Sequence, residues 1–238
     1  MKTVKAIFIS GIIQASVFGQ KANSYTQSEV DSIVKTIRTH ATITTKKLSE
    51  KLCQPFTTEE EKIRAISFWI MDNISYDYKQ SKSNNEYRIY QKKGESEEDA
   101  IYRIKLGEAR KTIMRGKGVC EDYAWLFHIL CQEAGITSTV VIGHAVDPGK
   151  QLSGLTRKLY SNHAWNGVLL NGQWMLLDLT WASGYVDKKT GVFTKSYNSF
   201  YYFPPPDLLI KTHFPTNPDW QLLEKPINTK QFILSTKK

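Results

Sequence analysis

The feature that most constrains this chain is a stretch whose helical projection is apolar on nearly every face. It covers residues 119–134 within GKGVCEDYAWLFHILCQEAGI. Such a helix is stable only when protein surrounds it, so a core has to be built around it. Cys120 opens the stretch directly after GKG, whose glycines allow a tight turn and close approach of the backbone. Because Ala124, Phe127 and Cys131 follow on the same stripe, we predict that the Cys120 thiol faces the interior.

The start of a helix is a chemically active position for a cysteine. Unpaired backbone N–H groups and a partial positive charge favour a thiolate over a thiol, and the same N–H groups can stabilise an oxyanion. Cys120 is therefore a candidate nucleophile. The alternative is a small buried residue that falls at this position by chance, and Cys120 alone does not separate the two.

The first half of the chain reads as helices. Apolar residues recur at helical spacing from Ser28 to about Leu52, and we interpret them as one amphipathic helical segment. Thr58 with Glu61 is a capping-box pattern that starts a second helix. Residues 79–99 are polar and without periodicity, which predicts a long loop or flap, and a further helix follows from Asp99 to about Met114.

The second half has the pattern of strands. TSTVVIGHAV, NHAWNGVLL and QWMLLDLTW are short runs rich in Val, Leu and Trp, and FPPPD is typical of a loop. Helices followed by strands predict an α+β fold. At 238 residues and 41% hydrophobic content the chain suffices for one sizeable domain. We predict a signal peptide at 1–20, an N-terminal helical segment at 21–54 and the main domain at 55–235.

The N-terminus has the layout of a cleavable secretory signal peptide. Lys2 and Lys5 precede an apolar run from Ala6 to Phe18 that ends in small residues. The run is too short for a spanning helix, which needs about 20 residues. The alternative is a first core helix. We predict export, with cleavage between Ala15 and Gln20, and no stable membrane insertion afterwards.

The distribution of charge argues against a nucleic-acid partner, and the number of cysteines bears on disulfide formation. Removal of residues 1–20 takes away two lysines and no acids, so the formal net charge of +9 falls to +7. The surplus is spread along the chain without the ordered basic and aromatic pattern of a nucleic-acid module, so we expect no nucleic-acid partner.

Three cysteines are an odd number for an exported protein, which leaves one thiol over. Cys53 and Cys131 either form a disulfide or are separately buried.

A hairpin can be placed by counting. Asn171-Gly172 between two apolar runs is a strong signal for a two-residue type I′ turn. If Leu170 pairs with Gln173, then His163 faces Thr180 and Trp165 faces Asp178. A slip of one residue would put His163 and Asp178 on opposite faces of the hairpin.

In that register His163 and Asp178 are diagonal neighbours on one face, with Cα atoms about 7 to 8 Å apart. A carboxylate so placed can accept from one imidazole nitrogen and leave the other free, as a cysteine–histidine nucleophile requires. The alternatives are a satisfied core histidine and an aspartate that caps a turn. Metal binding is disfavoured because CxxC and HExxH are absent from the sequence. No functional neighbours are predicted for the remaining histidines, which are His40, His128, His144 and His213.

Together these residues resemble the transglutaminase-like superfamily of cysteine enzymes. Its signature is GxC at a helix start, a later HAW, and then D followed by TW. The matching residues here are Gly118-Val119-Cys120, His163-Ala164-Trp165, and Asp178 with Thr180-Trp181. FWIMDNISYDY and THFPTNPDWQLLEKPINTKQF resemble the kyphoscoliosis-peptidase-like branch, as a bacterial-type secreted member, and the likeness covers roughly residues 55–235. The polar insertion near 79–99 is a departure that affects the cleft.

The resemblance implies a papain-like core in which the cysteine helix packs on an antiparallel sheet that carries His163 and Asp178. It implies that Cys120 attacks a carbonyl, that His163 takes and returns the proton, and that Asp178 holds the ring. Trp69, Tyr76 and Trp165 are candidates for substrate-binding cleft walls, although aromatic residues at such positions are more often core. Because the sequence lacks a calcium-loop motif such as DxDxDG, we expect no cofactor.

Three functions are compatible with these residues. The leading one is a secreted cysteine enzyme that hydrolyses, or transfers acyl groups from, amide bonds of protein or peptide substrates. The second is a non-catalytic protein-binding module that retains the fold. The third is an amidase that removes N-linked glycans on the same scaffold, which would require a sugar-binding cleft.

Overall fold

The computed structural model describes residues 24–82, 90–152 and 159–236. The predicted signal peptide and part of the predicted loop at 79–99 lie outside these residues. The helices are α1 (Gln27–Thr36), α2 (Thr45–Cys53), α3 (Glu59–Asn73), α4 (Glu97–Arg115), α5 (Cys120–Glu133), α6 (Leu179–Ser183), α7 (Pro206–Leu209) and α8 (Thr229–Ser235). The strands are β1 (Ser75–Tyr76), β2 (Lys117–Gly118), β3 (Ser138–Ala145), β4 (His163–Leu170), β5 (Gln173–Leu177), β6 (Gly184–Val186), β7 (Phe193–Lys195) and β8 (His213–Pro215).

The single helical segment predicted from Ser28 to about Leu52 is wrong, because two helices occupy this region. α1 ends where Ile37 takes an extended backbone, and α2 begins after Thr44, whose side-chain oxygen accepts the Lys47 N–H. Both helices nevertheless bury apolar residues in the same core as α3 and α5, namely Val30, Val34, Leu48 and Leu52.

The helix α3 begins as its capping box predicts. The Thr58 hydroxyl accepts the Glu61 N–H at 3.2 Å, and the Glu61 carboxylate accepts the Thr58 N–H at 3.0 Å. The same carboxylate also accepts the backbone N–H of Tyr25 at 2.8 Å, which ties the start of the described chain to α3. The capping box thereby satisfies two backbone N–H groups at the start of α3, those of Thr58 and Glu61.

A partly buried ion pair fastens α1 to α3. The Arg64 guanidinium donates from Nε to Asp31 Oδ1 at 2.7 Å and from Nη2 to Oδ2 at 2.6 Å. Its Nη1 donates to the Tyr197 hydroxyl at 2.8 Å, and its Cζ lies over the Tyr202 ring at 4.9 Å from the centroid. The two-pronged contact is the strong geometry for arginine and carboxylate.

The central helix α5 is surrounded as its apolar faces predict. It packs against α2, α3 and α4 and against β3 and β4 of the sheet. Ala124, Phe127 and Cys131 are 2%, 0% and 0% exposed, so the stripe that follows Cys120 faces the core. The fold is α+β, as predicted, and the cysteine-bearing helix lies on an antiparallel sheet.

The main sheet has the strand order β5-β4-β3-β8. Its β4–β5 hairpin has the predicted register, with Leu170 opposite Gln173. Asn171 and Gly172 have φ of 51° and 79°, as the two positions of a type I′ turn require. β3 pairs with β4 on one side and with β8 on the other, which brings His213 to the same end of the sheet as His163.

The hairpin ends earlier than the counting predicted. Its last pair is Asn166 with Leu177, so the predicted pairs of His163 with Thr180 and of Trp165 with Asp178 do not form. Leu177 also forms an isolated bridge with Tyr202, and the Asp178 N–H donates to the Tyr201 carbonyl at 2.9 Å. The Asp178 side chain then caps α6.

Shorter elements complete the molecule. β1 and β2 pair in parallel, which holds the chain before α4 against the residues that lead into α5. The predicted FPPPD loop leads into α7, with Pro206 as its first residue, a position where the missing N–H costs nothing. Among the described residues, no helix combines the length and apolarity that a membrane span needs.

Candidate active site

Cys120 is the first residue of α5. A backbone N–H in the first turn of a helix has no acceptor within the helix, so the Cys120 N–H is available to a ligand. The side chain is partly exposed and belongs to the wall of a groove, whereas the residues that follow on its stripe are buried. The predicted placement of this thiol at the start of a buried helix is therefore confirmed.

The glycine before Cys120 is required by Asp122. A Cβ on Gly118 would lie 2.6 Å from the Asp122 Cβ, far closer than a normal contact. The Asp122 carboxylate accepts the Val119 N–H at 2.8 Å and the Gln80 side-chain amide at 3.1 Å. Burial raises the pKa of Asp122 above its usual value. The glycine of the GxC pattern thus leaves room for the side chain of Asp122, the third residue of α5, which accepts the Val119 N–H.

His163 and Asp178 form a buried hydrogen bond of 2.6 Å between Nε2 and Oδ2. The other carboxylate oxygen, Oδ1, accepts the backbone N–H groups of Thr180 at 2.9 Å and Trp181 at 3.1 Å. Asp178 therefore has both of the roles that its sequence position allowed, because it caps α6 and orients His163. The predicted common face of the two residues is confirmed.

Burial and charge oppose each other at this pair. Burial lowers the pKa of His163, but the charge and hydrogen bond of Asp178 and the neighbouring Cys120 outweigh it and raise the pKa to about 10. Burial likewise raises the pKa of Asp178, yet His163 and the hydrogen bonds hold it well below its usual range. At neutral pH the favoured pair is an imidazolium beside a carboxylate.

Cys120 lies close enough to His163 to contribute to the raised pKa of the ring, and both residues line the same groove. Because Nε2 is bonded to Asp178, Nδ1 is the ring nitrogen left for the sulfur. The three residues come from the start of α5, the start of β4 and the residue after β5. A thiol, an imidazole and a carboxylate in this chain are the arrangement for nucleophilic catalysis by cysteine.

His213 was not expected at the site, and the structure corrects that prediction. Its Nε2 lies 3.0 Å from Asp178 Oδ2, and its Nδ1 lies 2.8 Å from the Thr212 hydroxyl. The residue is 1% exposed. Sequence spacing held no signal for it, because β8 reaches the sheet through pairing with β3. The downstream THFPTNPDW likeness was the available clue.

Two adjoining grooves meet at this cluster. The first has a volume of about 370 Å³ and is lined by Cys120 and Glu121, among others. The second, of about 600 Å³, is lined by Trp181 and Tyr185, among others. Both grooves are bounded by the same four residues, which are Tyr76, Ser81, Asn162 and His163.

The predicted cleft walls are only partly correct. Tyr76 lines both grooves, and burial together with the charge of Cys120 raises its pKa to about 12. Trp69 and Trp165 are 3% and 1% exposed and belong to the hydrophobic core, so the prediction that they line the cleft is wrong. An aromatic residue type does not reveal which face of its helix or strand it occupies.

One group among the described residues has the composition of a metal site. His163, Asp178 and His213 offer ligand atoms within 4.8 Å of one another. Their separations of 2.6 and 3.0 Å to a single carboxylate oxygen are hydrogen-bond lengths. With both rings bonded to that oxygen, we interpret the group as a hydrogen-bonded chain.

The family follows from this geometry together with a match of the sequence. The model of the transglutaminase-like superfamily matches residues 46–179, which contain Cys120, His163 and Asp178. The chain belongs to this superfamily. The matched segment ends directly after Asp178, so His213 lies beyond it.

Known relatives extend the match. The kyphoscoliosis peptidases of Mus musculus and Homo sapiens are each 36% identical over 185 residues, which is 78% of this chain and 25% of theirs. A solved structure described as a TGase shares 15% identity, with a TM-score of 0.38, over 76% of this chain and 38% of its own. The chain thus spans about a quarter of the length of the peptidases that it matches.

Proposed function

We propose that this protein is an exported cysteine enzyme that acts on amide bonds of protein or peptide substrates. The observation that carries the proposal is the buried hydrogen bond between His163 and Asp178, with Cys120 beside the same imidazole in the wall of a groove. The name of the kyphoscoliosis peptidases supports a peptide substrate. The N-terminal pattern of residues 1–20 supports export.

The first half of the reaction makes a thioester. The Cys120 thiolate attacks the carbonyl carbon of the amide, and the oxyanion that forms accepts the Cys120 backbone N–H. His163, as imidazolium, gives its proton to the leaving nitrogen. The C–N bond breaks and the amine departs, which leaves the acyl group on sulfur and a neutral imidazole.

The second half releases the acyl group. Water or an incoming amine gives a proton to His163 as it attacks the thioester carbonyl. The C–S bond breaks, and the thiolate–imidazolium pair is restored. Water gives a carboxylic acid and amounts to hydrolysis, whereas an amine gives a new amide and amounts to transfer. Asp178 keeps the ring orientation through both halves.

The junction of the two grooves at His163 suits an extended chain. A peptide that lies across the shared wall of Tyr76, Ser81, Asn162 and His163 would have one side in each groove. Its scissile carbonyl would then lie beside Cys120. Aromatic residues line the larger groove, including Tyr78, Trp181, Tyr185, Phe193 and Tyr201, and they provide apolar contact for side chains of the substrate.

The test is mass spectrometry of a protein and peptide mixture incubated with the enzyme, with and without an added primary amine. New carboxylates at cleaved or deamidated sites indicate hydrolysis, and addition of the amine mass indicates transfer. The control is Cys120→Ala, which should give neither product. If wild type and Cys120→Ala give identical spectra while both bind the mixture, the chain is a binding module instead.

Export has its own test. After expression of the full chain, the N-terminus of the protein recovered outside the cytoplasm is sequenced. The proposal expects a new N-terminus between Ala15 and the residue after Gln20. Recovery of the protein inside the cells with Lys2 and Lys5 retained would contradict it.

A further inference from the structure

The carboxylate of Asp178 has more partners than a three-residue mechanism needs. Oδ1 accepts two backbone N–H groups, from Thr180 and Trp181. Oδ2 accepts from His163 at 2.6 Å and faces a second ring, that of His213, at 3.0 Å. A carboxylate offers about four lone-pair positions, so all of them are occupied here.

The charge state and tautomer of His213 follow from its contacts. Burial lowers the pKa of His213 and outweighs the opposing effect of Asp178, so the ring is neutral and carries one N–H. Because the Asp178 carboxylate is ionised and only accepts, that hydrogen lies on Nε2. Nδ1 then accepts from the Thr212 hydroxyl at 2.8 Å, which is closer than the other acceptor of this hydroxyl, the Leu209 carbonyl at 3.3 Å.

The ring of His213 is also held by aromatic contacts. It lies edge-on to Trp165, with centroids 5.1 Å apart, and to Trp181, with centroids 4.6 Å apart. The titratable groups that face it among the described residues are Asp178, His163 and Tyr201. A neutral donor in this place stabilises the carboxylate without adding a positive charge that would compete with the imidazolium of His163.

We propose that His213 is a positioning residue of the active site, which donates from Nε2 to Asp178 and fixes the carboxylate toward His163. The inference rests on the proposed function, because it assigns a fourth member to the same site. Thr212 belongs to this assignment, since its hydroxyl keeps the hydrogen of His213 on Nε2.

The test measures the rate of alkylation of Cys120 against pH, which requires no substrate, together with kcat and KM when turnover is available. His213→Phe keeps a flat ring and removes the donor. Loss of a hydrogen bond to a charged group predicts a fall of about 10- to 100-fold in alkylation at neutral pH. We expect the same fall in kcat with KM little changed. His213→Gln, which can donate an amide N–H, should recover most of the rate.

Two control variants separate a positioning role of His213 from a general loss of stability. His128→Phe alters another histidine, which bonds Ser138 away from the site, and should leave the pH profile unchanged. Thr212→Val keeps the shape beside His213 but removes the hydrogen-bond donor to Nδ1, so we expect a loss of about 3- to 10-fold. If His213→Phe does not fold, Thr212→Val decides the question.

The outcomes distinguish the two proposals. Wild-type alkylation that is slow at neutral pH and unaffected by replacement of His163 would overturn both the proposed function and the role of His213. Fast wild-type alkylation with an unchanged profile in folded His213→Phe, or in Thr212→Val where His213→Phe does not fold, would overturn the role of His213 alone.

Discussion

Two carboxylates in this molecule, the partly buried Asp31 and the fully buried Asp178, bind cationic partners with opposite consequences. Asp31 is gripped by Arg64 through two hydrogen bonds of 2.7 and 2.6 Å, and the third arm of the guanidinium reaches Tyr197. Asp178 holds His163 through one hydrogen bond of 2.6 Å, and Cys120 lies beside the same ring. The first network joins α1 to the core, whereas the second ends at a groove.

The comparison shows that burial and pairing alone do not mark an active site. Hydrogen bonds to Asp31 and Tyr197 overcome the effect of burial and raise the pKa of Arg64, which therefore stays charged under all ordinary conditions. His163 has a pKa of about 10 and can both release and accept a proton in the course of a reaction. What distinguishes the functional network is a titratable side chain, His163, that can exchange a proton with a substrate in the groove.

The largest expected effect is at Asp178. Asp178→Asn keeps the shape but can offer the wrong partner to the His163 ring, so activity should fall by about a thousandfold or more. The fold should stay largely intact. Turnover and thermal melting of the same preparation check both halves of the statement. A variant that melts early yet keeps its turnover would make Asp178 a structural residue and would favour the binding-module function.

Trp165→Ala should mainly lower the free energy of unfolding. The side chain is 1% exposed and packs against the rings of His163 and His213, so its removal leaves a cavity beneath the site. Loss of a buried aromatic residue costs about 3 to 5 kcal/mol. Urea unfolding measures the loss. An unfolding free energy equal to that of wild type would show that the surrounding residues close the cavity.

Replacement of Arg64 should lower stability and leave turnover nearly unchanged, which is the reverse of the effect expected at Asp178. Arg64→Met leaves the partly buried Asp31 carboxylate without its partner, and the free energy of unfolding should fall by about 2 kcal/mol. At a temperature where the variant is folded, turnover should be within a factor of about two of wild type, because Arg64 does not line either groove. The matched control is Arg64→Met with Asp31→Leu, which removes both charges and should recover much of the stability. A large loss of turnover in folded Arg64→Met would break the distinction between the networks.

The two networks should also differ in their dependence on pH. The raised pKa of His163 means that its contribution to stability is complete below the unfolded value of about 6.5 and is lost as pH rises through about 10. The lowered pKa of Asp178 means that its contribution is complete above about 3.9 and is lost as pH falls below that value. The stability deficit of Asp178→Asn should therefore be greatest between about pH 4 and 6.5 and should shrink toward pH 10.

The deficit of Arg64→Met provides the control for this pH dependence. It should stay constant from about pH 6 to 10, because the guanidinium remains charged throughout that range. Urea unfolding of wild type and both variants across pH gives the two curves. Parallel curves for Asp178→Asn and Arg64→Met would show that His163 does not titrate as described.

Local patterns predicted much of this architecture. The apolar faces of α5 and the placement of Cys120 followed from periodicity, and the Asn171-Gly172 turn fixed the hairpin register. That register was enough to put His163 and Asp178 on one face. It did not reveal where the strands part, because the segment at Leu177 finds a different partner, Tyr202, which lies far along the chain.

The errors share a cause, which is that single-chain patterns do not encode distant contacts. His213 reaches Asp178 through the pairing of β8 with β3, which the spacing of nearby residues does not indicate. Trp69 and Trp165 were ambiguous because large aromatic residues occur both in cores and in cleft walls. The break between α1 and α2 was missed because Ile37 and Ala41 continue the helical period of the preceding residues.

The central claim, that Cys120 and His163 form a reactive pair oriented by Asp178, is tested most directly by the alkylation rate of Cys120 as a function of pH. Wild type should react rapidly at about pH 6 to 7, well below the ordinary thiol pKa of about 8.5. His163→Gln should react slowly there and recover only at higher pH. Mass spectrometry assigns the label to Cys120 rather than to Cys53 or Cys131. Equal rates in wild type and His163→Gln across the whole range would contradict the claim.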